Sequence, residues 1–455
     1  MSYSLRHCAE QAKRHGELYF ATLLPAHFIQ EAFAKASVKW QSSIYTPSIL
    51  VWCFLSQVLS EDHSCCDTVA RLMAFLVAQG KKCCSPLTGA YCIARDKLPE
   101  IVCQYLFHSI AENAVQKMPE SWHWHGRRVY VLDGTTITMA DTPENQAEYP
   151  QPESQRPGCG FPIMRMIGVF CLATGIAMKI ALGQYTGKQT GEASLSRSIS
   201  DLFKFGDVVL GDRIFCGWFD VALLEQRGVD LVYRQHYSRK MDFRTGRKLG
   251  KDDHLVNWPK PLNKPEWMSQ EEYDSFPDFI VMREVRVKIV TPGFRTREVI
   301  VVTTFDDNQH FTKEDIADMY RRRWQAELNL RSLKCVMQME HLRCKEPHRV
   351  RNELYMHMIG YNLLRGVMIE AAVKAGVQPC QISFKGTLQT VNEFLRMLPC
   401  AVDVSAWCEA LLICVAKHRV GKRPNRAEPR VRKRRPKNYP PMNRPRSTYR
   451  TRPAE

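Results

Sequence analysis

Apolar residues recur at helical spacing through the first 120 residues, with no stretch that alternates like a strand. The longest apolar run, residues 49–59, predicts a buried core helix, since it is too short to span a bilayer. A second helix is predicted at about residues 66–79, and Ser85-Pro86 is predicted to open a third. Two short helices joined by a glycine-containing turn indicate either a helix-turn-helix or a plain helical bundle.

From Arg127 onward the pattern changes to short β-type runs. The first ends at Asp133, before Gly134, and strands are also predicted at residues 166–174, 176–182, 207–210 and 229–233. Residues 192–203 are predicted to be helical, and a helix is predicted after Gly211-Asp212. A meander followed by strands that alternate with helices predicts a mixed α/β domain.

The alternation of strands and helices is interrupted at residues 236–299. These residues are polar and rich in Lys, Pro and Trp, and they end in β-like segments. We interpret them as a β-rich insertion. Thr312-Lys-Glu-Asp315 is a capping-box signature that predicts one long helix reaching about residue 339. Further helices are predicted at residues 349–375, in the 390s and at 405–418.

The net charge of +17 indicates a polyanionic partner, with nucleic acid the first candidate. Residues 419–455 contain fourteen Lys or Arg and two Glu, so this tail carries +12 of that charge. The tail is rich in Pro and has no apolar periodicity, so we expect it to be disordered until it binds DNA. The alternatives for such a tail are a solvated segment, a ribosomal contact or a membrane-surface contact.

The 17 cysteines favour reduced thiols in a cytosol over a disulfide framework, because their number is odd and the chain is long. The adjacent pairs Cys65-Cys66 and Cys83-Cys84, with His63, raise the question of zinc. Adjacent cysteines lack the two-residue spacing that zinc sites favour, so buried free thiols are the preferred interpretation.

Four residues of the predicted long helix share one face. Tyr320, Arg323, Glu327 and Lys334 fall within an arc of about 60° and extend over about 21 Å of helix. A carboxylate inside a row of cationic and aromatic groups is suited to following a phosphate backbone while presenting a metal ligand. The alternative is a solvated face with an Arg323–Glu327 ion pair.

Asp133 and Asp212 each follow a buried strand, and taken singly they are explained as a turn aspartate and a helix N-cap. Together with Glu327 they are more informative. In-line displacement at a phosphodiester is catalysed by two Mg²⁺ ions about 3.5–4 Å apart. Mg²⁺ prefers oxygen ligands, and carboxylates on strand ends and a helix would hold the ions rigidly. These three carboxylates are therefore the candidate catalytic and metal-binding residues.

The sequence resembles the DDE transposases of bacterial insertion sequences, in the IS-four family. The family signature of Tyr, Arg, Glu and Lys is matched at every spacing by Tyr320, Arg323, Glu327 and Lys334. The surroundings of Asp133 and of Asp212 are similar to the family's first two motifs. Residues 339–365 and segments near residues 62–65 and 88–95 are also similar, so the resemblance covers most of the chain.

The resemblance implies an RNase H-like catalytic core and a β-rich insertion in the 114 residues between Asp212 and Glu327. It implies that Tyr320, Arg323 and Lys334 contact the phosphate backbone at the transposon end. It also implies two Mg²⁺ ions, with Mn²⁺ as a substitute, and double-stranded DNA as the partner. We expect a homodimer in the paired-end complex, a cytoplasmic, nucleoid-associated location and no membrane contact.

Some family members stack a flipped base on a tryptophan of the insertion, but no Trp stands beside residues 299–303 here. For Trp258, Trp267 and Phe294 we predict packing rather than base stacking.

The predicted domains are a helical, DNA-binding region (1–120), a catalytic domain (121–375) with the insertion at 236–299, a helical region (376–418) and the basic tail (419–455). An active transposase is the preferred function. The alternatives are a catalytically silent or domesticated DNA-binding derivative and a plain metal-dependent nuclease or phosphatase. All three acids are present, which argues against the silent derivative, and the intact row on the helix argues against the plain hydrolase.

Overall fold

The chain is represented by a computed structural model, in which the structure describes residues 4–42, 44–288, 298–421, 442–445 and 448. Helices form both ends of this part, and a large mixed sheet forms its middle. The mixed α/β class predicted from the alternation of β-type and helical segments is therefore confirmed. Most of the basic tail lies outside the described residues.

Six helices precede the sheet: α1 (Leu5–Arg14), α2 (Ala26–Lys35), α3 (Pro47–Val58), α4 (Cys65–Ala78), α5 (Gly89–Asp96) and α6 (Glu100–Gln116). Helix α3 is apolar all round, and it is buried because α2, α4 and α5 pack around it. Residues 79–88 separate α4 from α5, a longer connection than the three or four residues of a helix-turn-helix. The structure therefore has a helical bundle at this position.

The helix predicted to open at Ser85 begins instead at Gly89. The Ser85 hydroxyl accepts a hydrogen bond from the backbone N–H of Leu87, only two residues ahead, which makes a local turn rather than an N-cap. The prediction of buried thiols is also only partly right. Cys84 is buried and Cys65 is half-buried, but Cys66 and Cys83 are exposed.

The middle of the chain contains the strands and four short helices. In chain order they are β1 (Val129–Met139), α7 (Pro143–Glu148), β2 (Ile163–Cys171), β3 (Ala177–Gln184), α8 (Glu192–Arg197), β4 (Val208–Gly211), α9 (Trp218–Gln226), β5 (Asp230–Arg234), β6 (Arg247–Gly250), β7 (Asp253–Pro259), α10 (Gln270–Ser275), β8 (Phe279–Lys288) and β9 (Glu298–Thr303). The helix predicted at residues 192–203 is shorter than expected, because α8 ends at Arg197 and a 3₁₀ turn follows.

The capping box at Thr312 and Asp315 is confirmed, since each side chain accepts a hydrogen bond from the other residue's backbone N–H. The single long helix that it was expected to open is wrong in two places. Helix α11 (Lys313–Arg322) and helix α12 (Trp324–Arg331) meet at Arg323, where i→i−3 hydrogen bonds tighten the backbone. A π-helical turn, Ser332–Val336, then ends the segment.

The chain continues through β10 (His341–Leu342), α13 (Pro347–Ala375), α14 (Phe384–Met397) and α15 (Val404–Lys417), close to the predicted positions of the last three helices. Helix α13 is buried along most of its length, because α3, α6, α14 and α15 all pack against it. The first and last helices of the chain therefore share one core. Throughout the described residues, no helix combines the length and the apolar character needed to cross a membrane.

The strands form one sheet in the order β3-β2-β1-β4-β5-β9-β8-β7-β6, with β10 added beside β1. Strands β1, β4 and β5 run parallel, β2 is antiparallel to β1, and β3, antiparallel to β2, runs in the same direction as β1, which is the RNase H-like arrangement that the resemblance implies. Val131 and Leu210 point to the face that packs on α12 and α13, and Leu132 and Val209 point to the face covered by α8 and α9. The sheet is thus enclosed between two helical layers.

The predicted insertion is β-rich, and its strands extend the central sheet instead of forming a separate one. Strand β9 pairs with β5, and β8, β7 and β6 follow outward. The guanidinium of Arg283 on β8 is buried against both carboxylate oxygens of Asp253, and it also donates to the carbonyl of Phe311, just before the Thr312 cap. The insertion is therefore fixed to the start of α11.

Candidate active site

Two aspartates lie at the same level of the sheet, Asp133 on β1 and Asp212 just past the end of the neighbouring parallel strand β4. The register of β1 and β4 pairs Val131 with Leu210, so two residues further along the chain Asp133 stands beside Asp212. Adjacent strands are about 4.8 Å apart, and residues in parallel register point to the same face. Both aspartates therefore belong to the face that packs on α12 and α13.

Asp133 does not end its strand, as the sequence had suggested. Strand β1 continues to Met139, because β2 pairs with it as far as Thr138. The Asp133 carboxylate accepts a hydrogen bond from the N–H of Gly134 at 3.0 Å. Burial raises the pKa of Asp133 to about 6, an effect opposed by the charge of Arg323 and increased by the charge of Glu327. Asp133 is thus a partly desolvated carboxylate with a like charge nearby.

Arg323 lies among the three predicted acids. Its guanidinium donates to the Glu327 carboxylate at 2.8 Å, and its side chain is only 15% exposed. Burial lowers the pKa of Arg323, but Tyr320, Glu327 and the charges of Asp133 and Asp212 outweigh that effect and raise it. Arg323 therefore pairs with Glu327 at the break between α11 and α12, and the charges of Asp133 and Asp212 act on the same guanidinium.

Lys334 turns back toward the sheet from the π-helical turn. Its ammonium donates to the Thr135 hydroxyl at 3.2 Å and to the Thr136 carbonyl at 3.0 Å, two and three residues beyond Asp133 on β1. Tyr320 is buried, which raises its pKa, and it also interacts with Arg323 and Asp212. Tyr320 and Lys334 thus face the protein, and the Arg323–Glu327 ion pair of the alternative interpretation is present, with Arg323 mostly buried and Glu327 37% exposed.

A fourth acid, Glu192 at the start of α8, was missed by sequence reasoning. Its carboxylate fills the space where a side chain at Gly134 would begin: a Cβ placed there would lie 2.6 Å from Glu192 Oε1. Burial raises the pKa of Glu192, the charge of Arg165 opposes the effect and the charge of Asp212 adds to it. The available signal was Gly134 itself, because a glycine inside a strand marks a close approach of another group.

The family model described as "Transposase DDE domain" matches residues 124–363, more than half of the chain. The chain belongs to the DDE transposase family. It is 26% identical over 405 residues to the transposase InsG for insertion sequence element IS4 of Escherichia coli (strain K12), covering 86% of each chain. It is 23% identical over 214 residues to the putative transposase InsZ of the same organism, covering 46% of this chain and 68% of that protein. The resemblance to the IS-four family is therefore confirmed.

Among solved structures, the transposase is similar to the piggyBac transposase in its synaptic complex with hairpin DNA. The TM-score is 0.42 at 11% sequence identity, with 87% of this chain and 84% of that chain covered.

Membership of the family implies use of a divalent metal ion, and the site has the right donors for a hard cation. Asp133 on β1, Asp212 just past the end of β4 and Glu327 on α12 each offer carboxylate oxygens. Asp212 forms no ion pair or hydrogen bond through its carboxylate among the described residues, so its oxygens are free to accept a metal. The fit therefore rests on the chemistry of these donors.

A different acidic group lies outside this site. Over the residues that the structure describes, the ligand atoms of Asp96, Glu346 and His348 lie within 4.8 Å of one another. Arg349 pairs with both Asp96 and Glu346, so the acids of this group already have a cationic partner. These residues join α5 to the start of α13, which indicates a structural contact.

The two tryptophans of the insertion in this transposase pack against other side chains. Trp258 is buried, donates its indole N–H to Glu284 and lies under the guanidinium of Arg239 at 3.8 Å. Trp267 is half-buried under Arg197 at 4.1 Å. The packing predicted for these two residues agrees with their contacts, and Phe294 lies outside the described residues.

Proposed function

We propose that this DDE transposase is catalytically active and cuts and joins DNA with Asp133, Asp212 and Glu327 as its metal-binding carboxylates. The proposal is supported by the ion pair of Arg323 with Glu327 at 2.8 Å and by the charges of Asp133 and Asp212, which act on the same guanidinium. A silent DNA-binding derivative would not need to keep three carboxylates gathered in a partly desolvated site, because their mutual repulsion is costly without a cation. The same arrangement supports the residues as a catalytic unit.

The reaction consists of two displacements at phosphorus. In the first, a water oxygen attacks the phosphodiester at the transposon end, the bond from phosphorus to the 3′ oxygen breaks, and that oxygen leaves as a 3′ hydroxyl. In the second, the 3′ hydroxyl attacks a target phosphodiester, and the target's own 3′ oxygen leaves with a proton. The chemistry supplied by two bound Mg²⁺ ions, or by Mn²⁺ in their place, is activation of the attacking oxygen and stabilisation of the leaving one.

The remaining signature residues position the DNA. Arg323 and Lys334 are cationic groups beside the carboxylates, and Tyr320 packs against Arg323. We infer that they hold the phosphates on either side of the scissile bond, because a charged donor close to a carboxylate site offsets the repulsion between the site and the DNA backbone. A plain nuclease does not need residues that hold the end of a DNA strand in one position.

The domain division inferred from the sequence is retained as part of the proposal. The first helices (1–120) are proposed to bind DNA and residues 121–375 to carry catalysis, with the insertion at 236–299, a helical region at 376–418 and the tail at 419–455. The transposase acts on double-stranded DNA, and we infer a homodimer in the paired-end complex, because two transposon ends must be held at once.

The test is an in vitro reaction of the purified chain with a labelled duplex that carries the inverted repeat flanking its gene, plus a target plasmid. The expected products, in Mg²⁺, are cleaved ends with 3′ hydroxyls and ends joined to the plasmid. Chelating the metal should stop both products and leave end binding intact. Cleavage without joining would identify a plain nuclease, and binding without cleavage would identify a silent derivative.

The basic tail is expected to supply non-specific affinity. Arg419 pairs with Ile382 and Val420 donates to Gln381, so a deletion of residues 422–455 leaves these core contacts in place. That deletion removes thirteen Lys or Arg and two Glu. Each phosphate contact contributes about 0.9 to the slope of log affinity against log salt, so the slope should fall by several units. A tail of the same composition in scrambled order should restore it, and an unchanged slope after deletion would exclude the role.

A further inference from the structure

Glu192 approaches the site from the side of the sheet opposite to Glu327. Helix α8 packs on β2 and β3 in the layer that contains Leu132 and Val209, whereas α12 packs on the face of Asp133. On β1, Gly134 lies between the carboxylates of Asp133 and Glu192. Its N–H donates to Asp133, and its Cα is covered by the Glu192 carboxylate. The carboxylates of Asp133 and Glu192 are therefore separated by a single residue that has no side chain.

The Glu192 carboxylate is half-buried, yet within the described ranges it forms neither an ion pair nor a hydrogen bond. Arg165 is the nearest cation that influences it, but its guanidinium donates to the Thr190 carbonyl at 2.7 Å and lies over the Tyr185 ring at 4.9 Å. A partly desolvated carboxylate normally has a partner, because an unpaired one loses hydration without compensation. Glu192, like Asp212, is thus a carboxylate without an ion-pair or hydrogen-bond partner among the described residues.

Glu192 lies close enough to two acids of the proposed metal site for their charges to act on one another. The two other acids that interact with it electrostatically are Asp212 and Asp133. Helix α8 has only six residues, and no backbone N–H of its first turn donates to this carboxylate, so capping the helix does not explain its placement. The absence of a side chain at Gly134 has a local explanation, because any side chain there would displace the Glu192 carboxylate.

We propose that Glu192 is a fourth metal-binding carboxylate of the catalytic site, which holds a divalent cation together with Asp133 and Asp212 from the face opposite to Glu327. This inference rests on the proposed function, since it extends the same metal site. It gives Gly134 a specific role, which is to let an acid from the far face reach the metal. It also means that each face of the sheet at β1 contributes at least one acid to bind the two ions.

The test measures metal binding directly, with the full chain and no DNA. Mn²⁺ is titrated and the free ion followed by electron paramagnetic resonance, and the rise in melting temperature on adding Mg²⁺ is recorded in parallel. Glu192→Gln keeps the size of the side chain and removes its charge. It should weaken Mn²⁺ affinity about tenfold or more, reduce the Mg²⁺-dependent rise in melting temperature, and shift half-maximal cleavage to higher Mg²⁺. Glu225→Gln is the matched control, an exposed acid at the end of α9 in the same layer.

A second variant tests the path between the two acids. Gly134→Ala places a methyl group where the Glu192 carboxylate lies, so it should also weaken Mn²⁺ binding, and the double variant should be no weaker than Glu192→Gln alone. Wild-type Mn²⁺ affinity in Glu192→Gln would overturn the proposal. So would a lower melting temperature with an unchanged response to Mg²⁺, because that is the signature of a structural role. If Asp133→Asn also left Mn²⁺ affinity unchanged, the metal site of the proposed function itself would fail.

Discussion

Asp212→Asn is expected to lower the rate of end cleavage by at least about 1,000-fold while leaving end binding close to wild type. Asn keeps the shape of the side chain but removes the charge that a metal requires, and a bound metal ion stabilises the transition state by several kcal/mol, with each 1.36 kcal/mol equal to a factor of ten. Asp133→Asn should behave in the same way, because continuing the register of β1 and β4 places Asp133 beside Asp212, just past the end of β4. Rates are to be measured under single-turnover conditions in Mg²⁺, with end binding measured by gel shift.

The matched control is Asp274→Asn, an exposed aspartate on α10 that should cut at the wild-type rate. The double variant Asp133→Asn, Asp212→Asn should be no slower than either single variant, since residues that act as one catalytic unit are not additive. If Asp212→Asn retained more than a tenth of the wild-type rate, the assignment of the metal site to these strands would be wrong.

Arg323→Ala is expected to lower cleavage and joining by about 100-fold, the loss typical of removing one charged donor at a reacting centre. On a solvated helix face this change would spare the fold, but Arg323 is not on such a face. The side chain is only 15% exposed and faces three carboxylates, so without it their repulsion is unopposed in the metal-free protein. We therefore expect a lower melting temperature without metal and a larger recovery on adding Mg²⁺ than in the wild type.

Lys334→Ala should also impair cleavage and joining, because its ammonium lies beside β1 just beyond Asp133. Each lost phosphate contact should remove about one unit from the salt slope of end binding. Arg321→Ala is the control, since Arg321 is exposed on α11 and pairs with Asp318. Wild-type rates from both Arg323→Ala and Lys334→Ala would defeat the role of this row in gripping the DNA, even if the three acids proved essential.

The parts of the site that could be predicted from the sequence are those with a local signal. Asp212 follows a short apolar run that predicts a buried strand. Thr312 and Asp315 form a four-residue motif that predicts the start of a helix. The spacing of the four-residue signature predicts Glu327 as the third acid of the site. In each case the residues that decide the structure lie within a few positions of one another.

The parts that were missed depend on distant partners. Asp133-Gly134 looks like the end of a strand, but the pairing of β1 with β2 carries the strand past it. Glu192 is separated from Gly134 by 57 intervening residues, and nothing around it in the sequence indicates an acid of the site. The π-helical turn likewise directs Lys334 to Thr135 on β1, a contact that helical periodicity cannot predict.

A sheet with this many strands also has to avoid pairing with another copy of itself. In the described part of the chain, β6 is the last strand on the insertion side, so it presents unpaired N–H and C=O groups at an open edge. Its sequence, Arg247-Lys248-Leu249-Gly250, places two exposed cations on four residues. Short, charged edge strands discourage aggregation, because a second strand would have to bring its own charges against them. Replacing those two cations by Val or Ile would therefore favour association of the chains through this edge, with no change at the catalytic end of the sheet.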